Sequence, residues 1–148
     1  MAIARGAGTE IIRSASFEDV DDNVQILIEG VQHHIYTVLS VICYVNTMSS
    51  PRYLRMRLKG YDSNAGTTAQ EHIIFKQVLS VDETFVWNDK FSFNGFEPVD
   101  FAGPMDDATK QDAIADQGSG VGQYLEIHGE NSADRFDIVV TFIDQNNA

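Results

Sequence analysis

A chain of 148 residues with 43% hydrophobic content can build one core that hides roughly 68–70% of its unfolded surface, so a single domain is expected. Its formal net charge of −12 repels a phosphate backbone at long range and argues against direct nucleic-acid binding. The longest apolar run, Ile35 to Val45, falls well short of the ~20 residues that cross a bilayer, and no membrane span is expected.

Residues 1–9 are small, glycine-rich and aperiodic, and are read as an extended N-terminal arm that orders against a neighbour, with a frayed terminus as the plainer alternative. Met1 to Gly8 lacks the continuous apolar stretch of a secretory signal, which predicts folding in a cytoplasm. Residues 10–148 form the expected domain. Period-two patterning predicts strands at roughly 10–18, 24–31, 34–46, 53–61, 71–81, 84–94, 123–129 and 135–144. Turn residues separate them at Asp21-Asp22-Asn23, Ser49-Ser50-Pro51, 62–66, Asn94-Gly95 and 129–134. In the second strand Val24, Ile26 and Ile28 alternate with Gln25 and Glu29, and in the last Phe136, Ile138, Val140 and Phe142 share a face; both apolar faces are assigned to the core.

Asp19, Asp21 and Asn23 have the alternate-oxygen spacing that opens a calcium loop. Val24 and Gly30 then stand where that loop needs Gly and Glu, so a solvated turn is the reading. His33 and His34 are adjacent and point to opposite faces in regular β structure, while His72 and His128 stand alone; no metal or other cofactor is expected. The segment from Ile35 to Val45 is apolar on both faces, which predicts a central strand covered by the second sheet and by a partner or loop. Within it Cys43, the only cysteine, excludes an intrachain disulfide and is expected as a small buried hydrophobe.

The fourth strand carries the clearest candidate site. Tyr53, Arg55, Arg57, Lys59 and Tyr61 share one face, with Leu54, Met56 and Leu58 on the other, giving a basic ladder suited to docking an acidic partner such as a neighbouring copy. The plainer alternative is a charged outer strand guarding a sheet edge. On the docking reading, an alanine triple variant of Arg55, Arg57 and Lys59 is expected to lose docking while folding unchanged. A second candidate is the aromatic run from Phe85 to Phe96, with Phe101 beyond it: Trp87, Phe96 and Phe101 are nominated as interface anchors, whereas Phe91 and Phe93 are assigned to the core. Arg5, on the arm, completes the candidate partner-binding set.

Residues 95–122 form one long connection with a short helix expected between Asp106 and Gln117, where acids lie near the start and Gly118 just past the end. Gly118, Gly120 and Gly122 lack the spacing and context of a nucleotide loop and are read as a flexible exit. No Gly-x-Ser-x-Gly elbow occurs, and most carboxylates sit in acidic turns, so an enzyme is the least favoured class. Together these elements predict an all-β protein, an antiparallel β-sandwich of jelly-roll type with about eight strands, an N-terminal arm and one long loop.

Four stretches carry a family likeness: Ala4 to Glu10, Gly30 to Leu39, Glu83 to Lys90 and Val140 to Gln145. In them the chain resembles small structural proteins of tailed bacteriophages, especially marine ones. The resemblance implies a capsid decoration or cement protein: a β-sandwich, often trimeric, made in the host cytoplasm and bound to the major capsid protein or other virion proteins at the capsid surface. Competing classes are a carbohydrate- or receptor-binding module of a phage tail or fibre, and a component of the capsid lattice or tail.

Overall fold

The computed structural model describes residues 8–98, 106–109, 111–112 and 120–147. Arg5, Phe101 and all of the expected arm except Gly8 and Thr9 lie outside them. Eleven strands follow one another among the described residues: β1 (Thr9–Val20), β2 (Gln25–Glu29), β3 (His34–Thr47), β4 (Arg52–Asp62), β5 (Thr67–Leu79), β6 (Thr84–Trp87), β7 (Phe91–Asn94), β8 (Phe96–Glu97), β9 (Val121–Gly122), β10 (Tyr124–Gly129) and β11 (Arg135–Asn146). The excess over about eight has a local cause. Strand-poor Asn88-Asp89-Lys90 interrupts the expected 84–94 run, and the two halves, β6 and β7, pair with successive parts of β3 as one divided strand position. The short pair β8–β9 supplies the rest.

The strands form two main sheets, with all pairings antiparallel. One has the order β1-β11-β3-β6, with β7 also on β3, and the other the order β2-β10-β4-β5. The chain passes from sheet to sheet at β1 to β2, β2 to β3, β3 to β4, β5 to β6 and β10 to β11. That wrapping around a shared interior is the jelly-roll arrangement expected from the strand pattern. Of the long connection, residues 108–109 and 111–112 are helical, with Gln111 N donating to Asp107 O at 3.1 Å; the rest of the expected helix lies outside the described residues.

The core forms where the inner faces meet. Phe136, Ile138, Val140 and Phe142 of β11 are all buried, as their alternation predicts. On β3 the inward set is Tyr36, Val38, Val41, Cys43 and Val45, a change of parity caused by an extra residue at Leu39 that shifts the β3–β11 register. The other face of β3 leaves Ile35, Ile42 and Tyr44 exposed. The second strand departs from expectation for the same reason. A register shift in the β2–β10 pair buries consecutive Leu27 and Ile28, and leaves Val24 and Ile26 in solvent instead of in the core.

Burial pushes the Cys43 thiol up to about 12 from an ordinary value of 9.0. Between those values the unfolded chain releases a proton that the native state keeps, so this group withdraws stability as pH rises through that window. A Cys43→Val variant is expected to lose less stability than the wild type from pH 9 to 11, read by urea unfolding at each pH. Parallel losses in the two proteins would remove the thiol as a cause.

Candidate functional site

The basic ladder lies on the outer face of the second sheet. β4 runs between β10 and β5, so it is an interior strand and guards no edge. Its alternation is as expected at the core side, where Leu54 and Met56 are fully buried and Leu58 packs against them from a half-buried position.

The cations of the outward side are tied to their own sheet. Arg57 Nε donates to Glu126 Oε1 from the neighbouring β10, and its Nη1 donates to Glu71 Oε2 on β5 at 3.0 Å. Glu126 is only 2% exposed, which makes this an ion pair almost without solvent. Lys59 Nζ lies 3.6 Å from Glu71 Oε1 and 6.0 Å from the Tyr124 ring. Tyr124 first, then Glu71 and Glu126, hold the Lys59 ammonium above its ordinary pKa.

Arg55 approaches His128 Nε2 with Nε at 3.0 Å and Nη2 at 2.8 Å. His128 Nδ1 is 2.9 Å from the Gly129 carbonyl, which can only accept, so the proton sits on Nδ1 and Nε2 accepts from the guanidinium. The Tyr53 ring has Lys76 Nζ at 4.4 Å and Arg55 Cζ at 5.8 Å from its centroid, with the His128 ring edge-on at 6.4 Å. Tyr61 is half-buried beside the register shift between Gly60 and Asp62. The structure places Tyr53, Arg55, Arg57 and Lys59 together on one face, in a cross-strand network where Glu71 and Glu126 answer Arg57 and Lys59 and His128 accepts from Arg55.

Trp87 and Phe96 do not join that face. Trp87 is half-buried on β6 with its ring 6.0 Å from Phe75, and its indole N–H has no hydrogen-bond partner among the described residues. Phe96 is half-buried in the β8–β9 pair, its ring edge against Gly122. Phe93 is buried and Phe91 packs against the core, as assigned from sequence.

No family model matches the chain. No curated protein matches it either. Among solved structures it is similar to a protein of Bacillus endospore appendages, described as disulfide-linked pili, at 12% identity and TM-score 0.43, over 100% of this chain and 97% of that one. It is also similar to a chain of the T13 particle of infectious bursal disease virus, at 8% identity and TM-score 0.41, over 99% of this chain and 37% of the viral one. A T=1 particle derived from infectious bursal virus gives 9% identity and TM-score 0.41, over 99% of this chain and 38% of that one. Likenesses this distant leave the role of the chain to its own geometry.

Three further clusters join residues that are remote in sequence. His34 Nδ1 meets Asp144 Oδ1 at 2.6 Å while Arg13 Nη1 stands 3.6 Å from Asp144 Oδ2, tying β1, β3 and β11 at one end. Arg52 Nη1 donates at 2.6 Å to the fully buried Asp134, joining β4 to the β10–β11 turn. Tyr44 donates to Asp82 Oδ1 at 2.8 Å, and that bond raises its hydroxyl pKa. Asp21 Oδ1 accepts from Asn23 N at 2.8 Å, a side-chain turn at the position that resembled a calcium loop. Among the described residues no three His, Cys, Asp or Glu side chains converge as metal ligands.

The other large surface is the outer face of the first sheet. Ile12 on β1, Ile35, Ile42 and Tyr44 on β3 and Val86 on β6 are exposed there. Register aligns Ile12 with Ile143, and Val139 with Ile42 and Val86, into two apolar rows across the strands. Ser14, with Oγ 3.1 Å from Thr141 Oγ1, lies between the rows, and the Ile12–Ile143 row continues into Thr37 and Ser92, whose Oγ1 and Oγ are 2.9 Å apart.

Proposed function

We propose that the chain is a non-enzymatic structural protein of a virion, a decoration or cement protein that binds the major capsid protein between capsomers and stabilises the expanded head. The observation that carries this reading is the outer face of the first sheet, where Ile12, Ile42 and Val86 stand exposed in two apolar rows on the jelly roll. Such a face makes contacts without needing any reactive group, and many modest contacts repeated by symmetry hold a shell through avidity. The phage resemblance of four stretches of the sequence supports the same reading, with synthesis in the host cytoplasm and location on the capsid surface. The internally paired ladder moves the docking surface from β4 to this opposite sheet.

A sugar-binding role would need exposed stacking platforms at Trp87, at Tyr61 and at Tyr53, all three of which are half-buried. The cations of Lys76 and Arg55 already lie against the Tyr53 ring, which favours the structural role over a glycan module. The deciding experiment is gradient co-sedimentation with expanded and unexpanded phage capsids, alongside an Ile42→Glu/Val86→Glu variant. Saturable binding to expanded shells alone, lost in the variant, is the expected result. Absence from both shells would overturn the proposal and direct the next test to a glycan array.

A further inference from the structure

A sheet that ends without protection offers a row of backbone donors and acceptors to another strand, and proteins blunt such edges with prolines, lysines, bulges or short strands. Among the described residues, three of the four edges of the two main sheets are blunted. β2 has five residues and a register shift, β5 has two shifts and carries Lys76, and the β6/β7 edge is divided around Lys90. β1 is different. Its one register shift on β11 is confined to the end between Phe17 and Val20, its register is unbroken from Thr9 to Phe17, it contains neither proline nor lysine, and no strand lies beyond it among the described residues. Its one cation in that stretch, Arg13, is drawn to Asp144 at 3.6 Å and over the Phe142 ring at 5.3 Å.

Exposure along this edge is unusual on both faces. Ile12, on the outer face with Ser14 and Ser16, is 70% exposed, and Ile11, on the inner face with Ala15 and Phe17, is 42% exposed. Two adjacent isoleucines in solvent on an open strand have no role in the core of their own chain.

We infer that β1 pairs antiparallel with β1 of a second copy about a two-fold axis at Ile12, fusing the two first sheets into one continuous sheet. A two-fold axis normal to the sheet keeps outer residues opposite outer residues, so the registers to compare are those centred on single residues. Centring on Arg13 would oppose the two arginines, and centring on Ser14 would oppose Glu10 with Glu18; both place like charges in contact. Centring on Ile11 would cover Ile12, 70% exposed, with Glu10 instead of an apolar side chain. Centring on Ile12 matches Ile12 with its counterpart, Ser14 with Glu10 and Arg13 with Ile11, and joins the exposed apolar rows of both copies. The inference goes beyond the capsid reading and does not rest on it.

The test uses the full-length free protein. Opposed residues of an antiparallel pair bring Cα atoms to about 4.5–5.5 Å, within disulfide range. Ile12→Cys is therefore expected to cross-link under mild oxidation at least about tenfold faster than Val78→Cys, a comparably exposed site on the β5 edge, because pairing raises its effective concentration. Cys43 is buried and does not compete. In parallel, the mass of the wild-type protein should rise with concentration, more readily as salt screens the net charge of −12, while Ile12→Lys stays monomeric with unchanged circular dichroism. Equal cross-linking of the two cysteine variants, or an oligomer that survives Ile12→Lys, would overturn the pairing. Capsid binding is measured separately, so either result can fail without the other.

Discussion

Arg57→Ala is expected to destabilise the fold by about 3–5 kcal/mol, because it strands the Glu126 carboxylate in a site that solvent barely reaches. Both ions of this pair are screened from water, with Arg57 and Glu126 side chains 13% and 3% exposed. A buried pair contributes little net stability over an apolar replacement, yet losing one partner leaves an uncompensated charge. The double variant Arg57→Met/Glu126→Met should therefore recover most of the loss. Lys59→Ala should cost far less, since its partner Glu71 is well exposed and solvent screens the pair. Urea unfolding midpoints at constant slope would check the series. A loss below about 1 kcal/mol in Arg57→Ala would show that Glu126 finds water or another partner. The buried Arg57–Glu126 pair also limits which substitutions can probe the basic ladder. The alanine triple variant expected to spare folding removes the counter-ion of Glu126, so a loss of docking in it would report unfolding. Lys76 lies beside Tyr53, and Lys76→Glu tests that face without touching the buried pair.

Gly95→Ala is expected to be more disruptive than any substitution at an exposed turn. A Cβ at Gly95 would stand 1.9 Å from Val31 O and 2.6 Å from Val31 N. The neighbouring Gly30 is in the same position, with a Cβ only 2.1 Å from Gln123 O and 2.3 Å from Gly95 O. Three segments meet here through their main chains, for Gly95 N donates to His34 O and Gln123 N donates to Gly95 O, each at 2.8 Å. No side chain can rotate away from the added methyl, and the loss should reach or exceed the upper end of the about 1–3 kcal/mol typical of overpacking. Gly66 supplies the contrast. It has open space around it and a φ of +70°, so Gly66→Ala meets only the left-handed backbone penalty of about 1–2 kcal/mol. Thermal melts of the two variants would rank them, and a Gly95→Ala protein melting with or above Gly66→Ala would refute the crossing.

Much of the fold is legible because alternation is a local property. The last strand, expected at 135–144 and found at Arg135–Asn146, could be read with its buried face intact, since β11 lies central in its sheet and keeps a regular period from Phe136 to Phe142. Period-two reading failed where a single extra residue entered a ladder. At Leu39 the inward parity of β3 changes, and the shift in β2 leaves Ile26, like Val24 just before the strand, in solvent. Nothing in those short apolar runs distinguishes a bulge from a regular strand, because Leu39 and Leu27 suit either.

The site was legible in part. That Arg55, Arg57 and Lys59 share a face follows from their spacing on one strand. Their partners Glu126, His128 and Glu71 come from β10 and β5, and the same holds for His34 with Asp144 and Arg52 with Asp134. An abundance of acids in a chain of net charge −12 gave no signal as to which would be buried beside which arginine. By itself, then, the order of residues determined the class of structure, the positions of the long strands and the faces that must be buried, because each depends on neighbours within a few positions. Only the tertiary structure decided which strand would be left as an open edge, which charges would neutralise one another and which apolar face would remain in solvent, because these depend on the register between strands separated by most of the chain.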